Sequence, residues 1–320
     1  MTKQETITIV TPCYNEENVI LTFLSDVIEV LQKHPEYRFN IIVVDDSSFD
    51  DTPSLLQNFQ VAIPNIALHV IRNKINAGHQ RSIFHGLVFS EGLEQDYLII
   101  MDSDGEDNPD AISELLTKKN YDIVEVRRGR RNESLMFKTM YFFYKLLFRI
   151  ITKKTMNYGN FCMLNKSVVE KITLSPFVHL PAFLLKLNVK KTSITYDRSP
   201  RINGNSKMGY KGLLLHAFNS LVEFGNDMLF WLLRIFVVVA IALVIVSANL
   251  FYQKFIAHTA ILGWFSVLFV GLLNLAMLCL GFFVIGILVM NRASQTLNFR
   301  STMYHVIKSG STHENSSKMA

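Results

Sequence analysis

Along the first hundred residues, short apolar runs alternate with stretches in which apolar residues return every three or four positions. Thr6–Thr11 is a β-branched run ending at Pro12, and Asn18–Lys33 follows with Val19, Ile20, Phe23, Leu24, Val27 and Val30 at the spacing of one helix face. The unit repeats. Asn40–Val44 reads as a second strand before a short helix, Pro53–Phe59, and Ala67–Arg72 as a third before a helix over Gln80–Glu91. Leu98–Met101 reads as the fourth, with another helix beginning at Asp110. Apolar strands separated by helices predict an α/β domain with a mostly parallel sheet, whose ligands bind outside the carboxyl ends of the strands. That rule gathers Tyr14, Asn15, Glu16, Asp45, Asp46, Asn76, Gly78, Asp102 and Asp104 along one rim.

Later the pattern changes. Leu229–Phe251 and Ile261–Met290 are near-continuous apolar runs, each longer than the ~20 residues that cross a bilayer. Arg234, near the start of the first, is placed to snorkel toward headgroups. The link Tyr252–His258 carries only Lys254, whereas Lys207, Lys211 and Arg234 precede the hairpin and Arg292, Arg300 and Lys308 follow it. The positive-inside rule therefore predicts a multi-pass protein of the inner membrane, with both termini in the cytoplasm. The expected layout is a cytoplasmic domain over 1–210, a juxtamembrane amphipathic helix over 211–228, and spans over 229–251 and 261–290. The spans are joined by a non-cytoplasmic loop, 252–260, and followed by a cytoplasmic tail, 291–320, whose polar end from Lys308 reads as disordered. Leu135–Ile151 mixes aromatic and aliphatic residues with Lys138, Lys145 and Arg149, which suits a helix lying in the lipid interface; an ordinary core helix is the alternative. Gly263, Gly271, Gly281 and Gly286 admit close helix contact, and so a homo-oligomer.

The fourth predicted strand runs into LIIMDSDGEDNP, where Asp102, Asp104, Glu106 and Asp107 crowd around Gly105. Like charges at this density repel one another unless a cation lies between them. Hard oxygen ligands suit Mg²⁺ or Mn²⁺, which keep positions open for phosphate oxygens; an acidic turn with a helix cap is the bland alternative. A net charge of +5 is modest and points to phosphates or anionic lipid, not to nucleic acid. Cys13, Cys162 and Cys279 have no metal-ligand spacing and read as free thiols of a reducing compartment. The N-terminus carries no signal-peptide pattern, so membrane insertion is assigned to the internal runs. Neither a G-x-G-x-x-G nor a P-loop follows the first strand. A carboxylate after the second strand and a D-x-D after the fourth together suit a nucleoside diphosphate.

Four motifs in order, PCYNEE (Pro12–Glu17), VVDDSSFDDT (Val43–Thr52), NAGHQRSIFHGL (Asn76–Leu87) and MDSDGEDNP (Met101–Pro109), resemble the GT-A glycosyltransferases of family 2. VEVRRGRRNES, NYGNFCMLNKSVVEKI, SPRINGNSKMGYKGLL and the two apolar runs are similar to the polyprenyl-phosphate branch, typified by dolichol-phosphate mannosyltransferases. The resemblance extends from about Thr6 to the second apolar run. It implies a GT-A, Rossmann-like fold with interfacial helices and a two-helix transmembrane hairpin. Carried over by position, it implies a nucleotide-sugar site at Pro12, Tyr14, Asn15, Glu16, Asp45, Asp46, Asn76, Gly78, Asp102 and Ser103, and a metal on Asp104 and Glu106. Asp102, Asp104, Arg127, Arg130, Arg131, Asn160, Arg201 and Lys207 would serve the reaction, the basic residues by neutralising phosphates. A solvated surface charge is the alternative for each of those.

This chain departs from the family pattern at four places, one of them the G-E-Y after the last span, where Gly286 is followed by Ile287-Leu288. Glu106 stands at the usual Gln, Asn160 at a carboxylate sometimes taken as a base, and Cys162 at an Arg. The expected activity is metal-dependent, inverting transfer of a hexose from a nucleotide sugar to polyprenyl phosphate, with UDP-glucose the first choice of donor by family frequency. A processive polysaccharide synthase is a rival, although neither Trp231 nor Trp264 follows an Arg as its Q-x-x-R-W motif requires. A non-catalytic nucleotide-sugar-binding membrane scaffold is the other.

Overall fold

A computed structural model describes residues 4–128, 135–156, 159–175, 177–197, 217–259, 263–295 and 304–310. The chain divides into two compact units. One holds Met1–Phe142, Thr155–Glu223 and Phe299–Ala320; the other holds Phe143–Lys154 and Phe224–Asn298.

The first unit is built on four parallel strands, β1 (Thr6–Cys13), β2 (Arg38–Asp45), β3 (Ile66–Asn73) and β4 (Tyr97–Ile100). Between them run helices α1 (Ile20–Gln32), α2 (Thr52–Asn58) and α3 (His79–Ser90), and α4 (Ala111–Leu116) follows β4. Successive side chains of a strand point to opposite faces, and here both faces are covered. Ile7, Ile9, Ile41 and Val43 join one core with Phe23, Leu24 and Val27 of α1. Val10, Ile42 and Val44 join the other with Ile83 and Leu87 of α3. The continuous apolar strands of the sequence are the consequence.

The sheet is wider and more mixed than the first hundred residues foretell. β5 (Ile123–Arg128) pairs in parallel with β7 (Lys191–Tyr196), and β6 (Cys162–Asn165) runs antiparallel between β4 and β5. The order is β7-β5-β6-β4-β1-β2-β3-β8, where β8 (Tyr304–Lys308) lies antiparallel on the edge of β3. The polar tail was expected to be disordered from Lys308. Instead Lys308 ends a strand and its ammonium donates to the Phe59 carbonyl, while a Cβ on Gly310 would come within 2.8 Å of the Leu68 carbonyl oxygen. The composition of the tail hid a ladder that β3 supplies. Residues 311–320 lie outside the described residues. Cys162 sits fully buried in β6, so its side chain belongs to the core and not to the rim; burial pushes its thiol well up, and Glu125 and Asp107 add to this. Helices α6 (Lys166–Thr173) and α7 (Leu180–Lys186) follow, α6 capped by the Asn165 side chain accepting from Val168 N–H at 3.0 Å.

Helix α5 (Leu135–Thr152) begins in the first unit and ends in the second. It exposes Phe142, Phe143, Leu146, Leu147 and Ile150 and buries Phe148. The second unit is otherwise α8 (Gly225–Phe255) and α9 (Trp264–Gln295), with mean hydropathies of 3.0 and 2.6 in their most apolar windows. At 1.5 Å per residue, 31 residues reach about 46 Å, more than the hydrocarbon core of a bilayer. By length and composition both are candidate membrane spans. They meet where a Cβ on Gly286 would come within 2.4 Å of Leu229, whereas Gly271 and Gly281 face open space.

Candidate active site

The rim at the carboxyl ends of β1, β2 and β4 is laced together by its own polar groups. After β1 the chain turns through Asn15 at φ 53°, and Asn15 N–H donates to Ser48 Oγ at 2.9 Å while its side-chain oxygen accepts from Phe49 N–H at 2.9 Å. Glu16 N–H donates to Thr52 Oγ1 at 2.9 Å, so the PCYNEE and VVDDSSFDDT motifs form one surface. Tyr14 and Phe49 stand edge to face across it, 6.3 Å apart, and Phe49 is strongly exposed. A planar base has rings to pack on at this place.

Asp45 and Asp46 are adjacent and do different work. Asp45 is fully buried; it accepts from Ser48 N–H at 3.1 Å and pairs with Arg72 at 3.2 Å. Burial raises its pKa, only partly offset by Ser48 and the Arg72 guanidinium. Asp46 accepts from Ala77 N–H at 2.8 Å, Gly78 N–H at 2.9 Å and Asn73 Nδ2 at 2.7 Å. It thereby fixes the turn into α3, where Gly78 takes φ 86° at the helix N-cap, a conformation that favours glycine.

The D-x-D loop is anchored the same way. Ser103 Oγ donates to the Pro12 carbonyl at 2.8 Å, so this buried hydroxyl holds the loop to β1. Asp102 N–H donates to Asp107 at 3.0 Å, and Glu106 N–H donates to Asp104 at 3.0 Å across Gly105, at φ 76°. Beside the loop lies a shallow open hollow, with Glu106, Asp107, Asn108, Tyr196 and Asp197 in its wall. Asp102 and Asp104 are half-buried, whereas Glu106 and Asp107 are buried. Among the described residues no three His, Cys, Asp or Glu side chains converge as a closed metal cage. Asp104 and Glu106 carry the hard carboxylate oxygens that suit Mg²⁺ or Mn²⁺, ions that retain waters and take substrate phosphate oxygens beside one or two carboxylates.

Two residues not singled out from the sequence enter here. Leu180 N–H donates to Gln80 Oε1 at 2.6 Å, and Gln80 Nε2 donates to Asn160 Oδ1 at 3.0 Å. The main-chain donor fixes both amides, and it leaves Asn160 Nδ2 2.9 Å from His79 Nε2. The same His79 nitrogen lies 3.1 Å from Asp102. Burial opposes a charged imidazole, but Asp102, Asp104 and Asp107 together raise the His79 pKa. Both residues stand inside NAGHQRS, on the first turn of α3. Their signal was a polar pair at a helix start directly after a glycine turn.

The sequence profile of glycosyl transferase family 2 matches residues 8–173, more than half of the 320 residues. The chain belongs to this family. It is 29% identical over 288 residues to an uncharacterized glycosyltransferase of Bacillus subtilis, YkoT, covering 83% of this chain and 81% of that one. It is 30% identical over 277 residues to a prophage bactoprenol glucosyl transferase homolog of Escherichia coli, covering 83% of this chain and 88% of that one. In fold it resembles the mannosyl-3-phosphoglycerate synthase of Rubrobacter xylanophilus, with a TM-score of 0.52 at 13% identity over 70% of this chain and 74% of that one. The GT-A fold and the transferase class expected from the sequence both stand.

Within this family 2 fold, Pro12, Tyr14, Asn15, Glu16, Asp45, Asp46, Gly78, Asp102, Ser103, Asp104, Glu106 and Asn160 lie in or beneath one connected rim. Asn76 is exposed on the turn before α3, and Arg127 is exposed near the end of β5. Arg130, Arg131, Arg201 and Lys207 lie outside the described residues.

Proposed function

We propose that this chain is a membrane-bound, inverting glycosyltransferase that moves a hexose from a nucleotide sugar to a polyprenyl phosphate at the cytoplasmic face, with Mg²⁺ or Mn²⁺. The observation carrying the reading is one rim on which an Asp46-anchored base surface and a D-x-D loop meet in a chain that also has two candidate spans. The E. coli relative's bactoprenol and glucosyl name supports the lipid acceptor and makes UDP-glucose the first donor to try. The exposed apolar face of α5 suits the lipid interface at which a polyprenyl chain would be met.

The chemistry asked of the protein is positioning and charge neutralisation. A phosphate monoester has its second pKa near ~6, so at neutral pH the attacking lipid oxygen is already largely ionised. No strong base is required, and Asn160 can replace a carboxylate without loss of the reaction class. Tyr14 and Phe49 would hold the base, and the Asp46-fixed turn would shape the nucleoside pocket. Asp104 and Glu106 would hold the divalent ion, which when bound offsets charge on the leaving diphosphate. His79 reaches Asp102 and Asn160 from the first turn of α3 and helps to hold the loop, and Arg127 is a candidate to add positive charge near it from β5. Attack opposite the leaving group inverts the anomeric centre.

The test is product analysis with the full chain in detergent, divalent metal, a short polyprenyl phosphate and a panel of nucleotide sugars. Glycolipid with release of a nucleoside diphosphate is expected, and Asp104→Asn should lower turnover by at least about 10²-fold. Release of a nucleoside monophosphate would mean sugar-phosphate transfer and overturn the mechanism. Donor binding without product across the panel would leave the scaffold as the better reading.

A further inference from the structure

The strand that follows the hairpin does more than lengthen the sheet. In the β3–β8 ladder Tyr304 stands opposite Asn73, the last residue of β3. Its ring packs on His85 of α3 at 6.0 Å and edge to face on Phe89 at 6.2 Å. His85 Nδ1 lies 2.7 Å from Asn73 Oδ1, and Asn73 Nδ2 donates to Asp46 at 2.7 Å and to Ser82 Oγ at 2.9 Å. The directions are forced. An ionised Asp46 only accepts, so the Asn73 amide nitrogen faces it, Asn73 Oδ1 faces His85, and the proton of a neutral His85 sits on Nδ1. Burial lowers the His85 pKa, which favours this neutral form. Asn73 and His85 are both buried, so the relay is insulated from water.

We propose that Tyr304, His85 and Asn73 are positioning residues for Asp46, so that strand β8, coded after the membrane hairpin, tunes the affinity of the nucleotide pocket. This rests on the reading of Asp46 as part of the donor site. The relay ends on the carboxylate that holds Ala77 and Gly78, and through them the turn into α3. Removing the Tyr304 ring takes away the outer wall of His85. The His85–Asn73 bond then loses the ring that backs it, and the Asn73 donor to Asp46 is held less closely. The lipid-phosphate side of the reaction is not touched by this change.

The experiment uses the full chain in detergent with Tyr304→Ala, Tyr304→Phe and His85→Asn, which keeps a donor near the Nδ1 position. Equilibrium binding of UDP and of GDP with Mg²⁺ is measured first, then donor KM, acceptor KM and kcat. Tyr304→Ala should weaken nucleotide binding and raise donor KM about tenfold. Acceptor KM and kcat at saturating donor should stay within about twofold. Tyr304→Phe should match the parent chain, and His85→Asn should retain most of the affinity. Unchanged nucleotide binding in Tyr304→Ala would overturn the inference while leaving the donor reading intact. So would an equal loss in Tyr304→Phe, or a parallel fall in kcat and acceptor affinity, which marks general loosening of the fold. A parent chain that binds neither UDP nor GDP would instead overturn the nucleotide-sugar reading, and this inference with it.

Discussion

At the scale of single residues, buried polar groups in this protein either tie loops together or wait for protons. His69, in β3, is the clearest case of the second kind. It is almost fully buried against Phe89, and its pKa falls from 6.5 to about 4 because burial penalises the charged ring. Below pH 6.5 the unfolded chain takes up a proton at this position that the folded chain refuses until about pH 4. The contribution to stability is therefore complete above pH 6.5 and is lost as pH falls through that window, by about 3 kcal/mol. His85, also lowered by burial, acts in the same direction. Thermal unfolding followed from pH 7 to pH 4 should show the loss, and His69→Leu should flatten it. Equal slopes in the two proteins would remove His69 as the cause. The carboxylates were legible in the sequence because like charges clustered at a strand end demand an explanation. His79, Gln80, Asn73 and His85 were not, because their roles depend on a bond direction set by Leu180 N–H or on a partner strand far along the chain. The Ser103 hydroxyl ties the loop to the Pro12 carbonyl, a bond between segments far apart in the chain.

Among elements, α3 connects the core to the site, since its first turn carries His79 and Gln80 and, about two turns on, it packs flat on the sheet at Gly86. A Cβ there would come within 2.4 Å of Val10 Cγ1 and 3.0 Å of Val44 Cγ2. Two effects compete in Gly86→Ala. Helix propensity favours alanine by about 1 kcal/mol. Overpacking a filled core costs about 1–3 kcal/mol, and at 2.4 Å a strand side chain or the helix must move, so overpacking wins. The melting temperature should fall by several degrees, with a rise in donor KM as the first turn of α3 lifts from the rim. Val10→Ala in the same chain opens the space and should recover part of both losses; no recovery would place the strain elsewhere. The first four strands and their helices could be read directly because both faces of a parallel sheet are buried and the runs stay apolar. β5, β6 and β7 were hidden for the opposite reason. β5 and β7 end in polar residues, β6 has four residues, and their pairing joins segments distant in the chain, β6 to β4 and β5, and β7 to β5.

For the whole molecule, β8 constrains how the two candidate spans are threaded. The sheet contains strands coded before α8 and a strand coded after α9, hydrogen-bonded to each other along β3 and β8. A ladder cannot form across a bilayer, so an odd number of crossings between Asn73 and Tyr304 is incompatible with it. If α8 and α9 span, they span as a hairpin, and the turn at 256–263 emerges on the side opposite the sheet. The positive-inside rule then predicts the sheet on the cytoplasmic side, because 256–263 carries no Lys or Arg and Lys254 alone stands just before it, at the end of α8. In spheroplasts, a cysteine introduced at His258→Cys should react with an impermeant maleimide. A cysteine at Ser309→Cys should be labelled only after the membrane is opened, with the native Cys13, Cys162 and Cys279 buried and silent in both. A chain that labels at both positions from outside would contradict the cytoplasmic placement and the hairpin together, because a spanning hairpin puts the two positions on opposite sides. Labelling at Ser309 alone would invert the orientation. Protection of both until lysis would show that α8 and α9 do not cross, and the lipid-linked reading would then rest on the surface of α5 alone.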